Sequence, residues 1–168
     1  MNRYLTLQYF PRQWKRAYIK IIPKPNKTDY TELNSYRPIG LLPVFGRALE
    51  KLFVRRVTFA AMKFDKLSER QFGFRPLTNT TAALSAAISA IEQARSNGLL
   101  TIAVSLDIKA AFDNAWWPAL FHRLRLIDCP SNICGLIRSY TTDRTVTLDH
   151  AGSRVSKTMT KGCIQGST

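Results

Sequence analysis

Alternation and helical spacing divide the chain into recognisable segments. Residues 18–22 (YIKII) form an apolar, β-branched run that Pro23 and Pro25 stop, which predicts a short strand. A basic loop follows over 24–29. Residues 34–38 (NSYRP) are expected to be extended and turn-like, because Pro38 pushes the residue before it out of the helical region. From 46 to 62, Leu49, Leu52, Phe53, Val57 and Ala60 recur at helical spacing, and Arg47, Lys51 and Arg55 line another face. A second helix is predicted over 80–96. Leu84, Ile88 and Ile91 give it an apolar stripe, Asn79 can cap it, Gly98 lies just past its end, and its many alanines point to close packing. Residues 101–108 carry the cleanest strand pattern. Ile102, Val104, Leu106 and Ile108 fall on one face, and Thr101, Ala103, Ser105 and Asp107 on the other. Pro118 suits the first turn of a third helix that reaches about residue 126, and 132–140 makes a short fourth. Residues 144–149 and 154–159 alternate around 150–153 and predict a β-hairpin. The order predicts an α+β fold in which the basic N-terminal part forms a flap over a sheet-and-helix base.

Composition narrows the class. The chain has 168 residues, enough for one ordinary domain, and 45% of them are hydrophobic, which argues against a disordered chain. Three cysteines and two histidines supply neither a disulfide framework nor a four-ligand zinc set. Reduced thiols and an intracellular setting are therefore expected. No apolar run approaches the length of a membrane span, and residues 1–10 lack the features of a secretory signal, so no membrane partner is expected. The net charge is +14, and residues 1–75 hold 16 of the 25 Lys and Arg but only 5 of the 11 Asp and Glu. A basic half on a folded domain points to a polyanion, with nucleic acid as the first candidate.

Asp107 ends an otherwise apolar strand pattern. A carboxylate there needs a hydrogen bond, a cation or a metal ion, or it caps the following helix. Phosphoryl transfer needs at least two oxygen ligands converging on a divalent ion, and one strand-end Asp cannot supply them alone. A phospho-acceptor aspartate is a further option. It would call for an acidic pair at a first strand, where residues 1–35 offer basic loops.

Five segments in order then carry a resemblance: WKRAYIKIIPKPN (14–26), YRPIGLLPVFGRALEK (36–51), QFGFRP (71–76), SLDIKAAFD (105–113) and GCIQGS (162–167). Together they resemble the reverse transcriptase domain of non-LTR, LINE-type retrotransposons, over nearly the whole chain. The resemblance implies a right-hand polymerase fold, with fingers over about 1–100 and the first part of the palm over about 101–168. It implies that Asp107 is the first catalytic palm aspartate and a ligand of both metals, with the Ile108 carbonyl as a further metal ligand. Arg37 and Lys24 would hold the incoming triphosphate. Phe112 would sit under the sugar, and Gln165 and Gly166 would form the turn that contacts nucleotide and template. The cofactor implied is Mg²⁺ or Mn²⁺. The partners implied are an RNA template, a DNA primer and deoxynucleoside triphosphates. Synthesis in the cytoplasm and integration in the nucleus follow from the same resemblance.

The sequence also departs from that pattern. It stops before the later palm hairpin with paired aspartates and before the thumb, so the 168 residues are expected to be a fragment with little activity alone. Ile164 stands where the family usually has proline, and Leu77-Thr78-Asn79 replaces a Gly/Arg/Ser-type run. A basic nucleic-acid-binding remnant without chemistry is the alternative.

Overall fold

The computed structural model describes residues 1–150 and 152–164, and it forms two compact units. One joins residues 1–64 with those from 110 onward, and the other is Asp65–Lys109.

In chain order the first unit holds α1 (Asn2–Leu7), β1 (Arg16–Pro23), β2 (Tyr36–Leu41), α2 (Val44–Lys63), α4 (Trp117–Leu126), α5 (Ser131–Thr141), β3 (Thr145–His150) and β4 (Ser153–Thr158). α3 (Thr80–Ser96) belongs to the second unit. The strands make one sheet in the order β2-β1-β3-β4. β1 and β2 are an antiparallel hairpin, β3 and β4 are another, and β1 joins the two by parallel pairing with β3. The basic N-terminal part is thus not a flap over the base. Its strand β1 is hydrogen-bonded into the middle of the sheet, with Ala17 opposite Val146 and Ile19 opposite Leu148.

The segment over 34–38 is turn-like and then extended, as expected. A short 3₁₀ turn at Leu33–Ser35 leads into β2, and Pro38 pairs with Ile21 inside that strand. Proline is tolerated because β2 is an edge strand and can leave one side without a donor.

Register sorts the side chains of this sheet onto two faces. Ala17, Ile19 and Ile21 share one with Val146, Leu148 and Val155. Arg16, Tyr18, Lys20 and Ile22 share the other with Arg37, Ile39, Leu41, Thr147, Ser156 and Arg154.

The helices supply the core. Leu5, Phe10, Leu49, Phe53, Leu124, Ile133, Leu136 and Ile137 are buried together, drawing on α1, α2, α4 and α5. The Tyr140 ring stands edge-on to Phe10 and to Phe53, with centroids 5.0 and 5.2 Å away. Such pairs add to simple burial, because positive ring edges meet negative faces.

In the second unit α3 matches its predicted bounds, and Asn79 Oδ1 accepts from Ala82 N at 2.7 Å as the expected cap. The alanines do not mark close packing, since α3 has no buried residue. The strand expected over 101–108 is absent. Those residues are irregular, and Ile102 and Leu106 are 88% and 90% exposed. Alternation creates a two-faced segment, but a strand also needs a neighbour to take its N–H and C=O groups, and no described strand pairs with this one. Among the described residues no helix is long and apolar enough to cross a membrane.

Cys129, Cys134 and Cys163 are free thiols. Cys134 Sγ donates to the Cys129 carbonyl at 3.5 Å. Burial first, and then the neighbouring Cys134 thiol, push the Cys129 thiol from its ordinary value near 9.0 up to about 12. A raised folded value favours the neutral thiol in the native state. That contribution is complete below pH 9 and is lost as pH rises from 9 towards 12. At pH 8, iodoacetamide should therefore modify Cys129, followed site by site by peptide mapping of the unaltered chain, more than about a hundredfold slower than a free cysteine peptide. Equal rates would show that the thiol is not held neutral.

Candidate nucleotide and template site

The hairpin β1–β2 positions the two expected phosphate-binding residues. Ile22 pairs with Arg37, and Lys24 follows two residues later, its backbone N–H donating to the Ser35 carbonyl at 2.8 Å. Both side chains are therefore at the same end of one hairpin. Lys24 is half-buried and Arg37 exposed. Lys24 Nζ donates to Asn34 O at 2.8 Å, which leaves further ammonium donors for a ligand. The connecting loop is tied down by its own polar groups. Tyr30 Oη donates to Lys24 O at 2.9 Å, and Tyr36 Oη to Tyr30 O at 2.8 Å. Asp29 Oδ1 accepts from Thr31 N and Thr31 Oγ1, both at 2.7 Å, and these bonds hold its carboxyl below the ordinary range. Ser35 Oγ donates to Asp29 O. A loop ordered in this way holds Lys24 in place before any ligand arrives.

Arg37 also opens the polar face of the sheet. Arg16, Lys20, Arg37 and Arg154 are exposed on that face around Tyr18, and its acidic residue Asp149 is paired with Arg154 at 2.9 Å. Cations flanking an aromatic ring suit a nucleic-acid strand, whose phosphates and bases they can meet together.

Phe112 is 52% exposed, so it is not a core residue. It lies in the turns that precede α4, as does Asp113. The segment 161–164 packs against these turns. Cys163 N donates to Phe112 O and Gly162 N to Ala115 O, both at 2.8 Å, and Ile164 is buried. Gln165 and Gly166 lie outside the described residues.

Asp107 and Ile108 belong to the other unit. Asp107 is exposed and does not end a buried strand, which corrects the expectation from sequence. No three His, Cys, Asp or Glu side chains among the described residues are grouped to hold a metal ion. One carboxylate and one carbonyl are hard oxygen donors of the right kind for Mg²⁺, but they do not make a site in these residues by themselves.

Sequence reasoning missed two buried cations. Lys15 donates from Nζ to Thr142 O at 3.0 Å, and burial above all lowers its pKa. Arg144 is 2% exposed, its guanidinium carbon stands 4.0 Å from the Tyr140 ring centroid, and its Nη1 and Nη2 have no hydrogen-bond partner among the described residues. Tyr140 Oη donates to the buried Glu50. The signal that could have flagged these residues is weak, because charged side chains read from sequence default to the surface.

Residues 22–168 match the family model described as reverse transcriptase (RNA-dependent DNA polymerase). The chain belongs to the reverse transcriptase family. Curated relatives agree. The RNA-directed DNA polymerase from mobile element jockey of Drosophila melanogaster is 32% identical over 99% of this chain. The probable RNA-directed DNA polymerase from transposon X-element of the same species is 33% identical over 99%. The putative 115 kDa protein in type-1 retrotransposable element R1DM is 34% identical over 99%. The chain spans 18%, 18% and 16% of these relatives' own lengths. The reverse transcriptase family thus fits the non-LTR resemblance, and the mixed helix-and-sheet structure is consistent with it.

Proposed function

We propose that this chain is the fingers and first palm segment of a non-LTR retrotransposon reverse transcriptase, which extends a DNA primer on an RNA template. The observation that carries the reading is the β1–β2 hairpin, which sets Lys24 and Arg37 at one end within a chain of the reverse transcriptase family. In this reading their charges neutralise the β- and γ-phosphates of an incoming deoxynucleoside triphosphate, with Arg37 donating in pairs from its planar fork. Phe112 lies at the sugar, and Gln165 and Gly166 contact nucleotide and template. The basic sheet face carries the template strand.

Asp107 contributes the first carboxylate, and Ile108 a carbonyl, to a divalent-ion centre completed by ligands from outside these 168 residues. A bound Mg²⁺ or Mn²⁺ pair would supply the Lewis acidity for nucleotidyl transfer. The chain alone then binds nucleotide and RNA without extending a primer. The site of action is cytoplasmic during synthesis and nuclear during integration.

The test is equilibrium binding of a deoxynucleoside triphosphate to the chain. Arg37→Ala should weaken binding roughly tenfold, the loss of one charge-assisted contact. Arg95→Ala, remote in sequence and in the other unit, should leave it unchanged. Equal affinities for the Arg37 variant and the wild type would remove the hairpin from the nucleotide site.

A non-catalytic binding module is the second reading, and the basic sheet face favours it because exposed cations flank Tyr18 there. It predicts RNA binding that Mg²⁺ does not improve and no affinity for nucleoside triphosphates.

A further inference from the structure

The turn at residues 112–115 and the segment 161–164 are closed on each other by a latch. Besides the two backbone bonds to Phe112 and Ala115, Trp117 Nε1 donates to Gly162 O at 3.0 Å, and Lys161 Nζ donates to Asn114 Oδ1 at 2.9 Å. Gly162 has φ +84°, and a Cβ there would lie 2.8 Å from Asp113 O and 3.2 Å from Phe112 O. Both of those neighbours are backbone atoms, so they cannot swing aside, and only glycine permits this approach. Trp117 is half-buried at the start of α4, and its indole N–H is satisfied across 45 positions in sequence.

We propose that Trp117 and Gly162 are positioning residues that set the selectivity of the nucleotide site for deoxyribose. This role rests on the proposed place of Phe112 under the sugar. The latch fixes the Phe112 carbonyl through Cys163 N, and a fixed peptide fixes the direction in which the Phe112 side chain leaves the backbone. It also fixes the chain two residues before Gln165. A ring that discriminates against one hydroxyl must be held to a fraction of an ångström, and an exposed turn is not held so tightly by its own bonds. Trp117 and Gly162 supply that constraint without touching the nucleotide.

The experiment compares the affinities of the chain, in Mg²⁺, for the deoxyribo- and ribonucleoside triphosphates of the fluorescent base 2-aminopurine. The wild type should prefer the deoxy form. Trp117→Phe and Gly162→Ala should each lower that preference by about tenfold, the worth of one good hydrogen bond. Inorganic tripolyphosphate, which reports Lys24 and Arg37 alone, should bind these variants as it binds the wild type. Gly152→Ala is the control. It imposes the same backbone strain at φ +77° where nothing lies within 4 Å, and it should leave the preference intact.

A preference that Phe112→Ala abolishes but Trp117→Phe and Gly162→Ala retain overturns the latch alone. A wild type that binds both forms equally, or neither, overturns the latch together with the sugar assignment, as does a preference that survives Phe112→Ala. A measurement on the unaltered chain guards against misfolded variants. The Trp117 indole proton should exchange with solvent far more slowly than that of the exposed Trp116, and equal rates overturn the proposal.

Discussion

Primer extension falls on the order of 10³-fold when Asp107 becomes asparagine in a protein that joins these residues to the downstream sequence of the jockey-type relatives. Asparagine keeps the size of the side chain and removes the charge that is proposed to grip a divalent ion. The decisive control is stability. Asp107 is exposed in an irregular segment, so the same substitution should change folding free energy by no more than about 0.5 kcal/mol. RNA binding should stay within about twofold if, as proposed, phosphate contacts from the basic sheet face set it. An Asp107→Asn protein that still extends primers would remove this carboxylate from the chemistry. One that unfolds would show that its role is structural.

Leu136→Ala should destabilise the chain by about 3 kcal/mol, read as a fall in the urea midpoint at unchanged slope. Leu136 is fully buried where α5 meets the core shared with α1, α2 and α4. Truncation there removes transfer free energy and leaves a cavity that packed neighbours fill only in part. Against a typical total of 5–15 kcal/mol, this is a large fraction. A loss under about 1 kcal/mol would mean that the helical core is loosely packed.

Which parts of this molecule were legible in its sequence follows from what kind of interaction defines each part. Helices α2 to α5 are legible because their hydrogen bonds are local, whereas the six-residue α1 is not among the expected elements. Leu49, Leu52 and Phe53 repeat with the helical period, Asn79 caps α3, and Pro118 opens α4, all within a few residues. The hairpin β3–β4 was legible for the same reason, its partner being across a short turn. Non-local pairing was not legible. Nothing in Arg16–Ile19 announces that it pairs with Thr145–Leu148, so the sequence alone puts the N-terminal strand in a flap. The failure over 101–108 is the converse, a strand pattern without a strand beside it. Among the site residues, Lys24 and Arg37 needed only a hairpin to come together, and they do. The approach of Gly162 to Phe112 was invisible, because a glycine in a motif does not name the backbone it touches.

The parallel pairing of β1 with β3 has a consequence during synthesis on the ribosome. β1 and β2 can meet almost as soon as they emerge, but the other edge of β1 waits for Thr145–Leu148. At ~5–20 residues per second, that wait is roughly ten seconds. Through that interval the edge of Arg16–Ile19 that takes Thr145–Leu148 stays open, and chaperone capture or mispairing with a second nascent copy competes with correct closure.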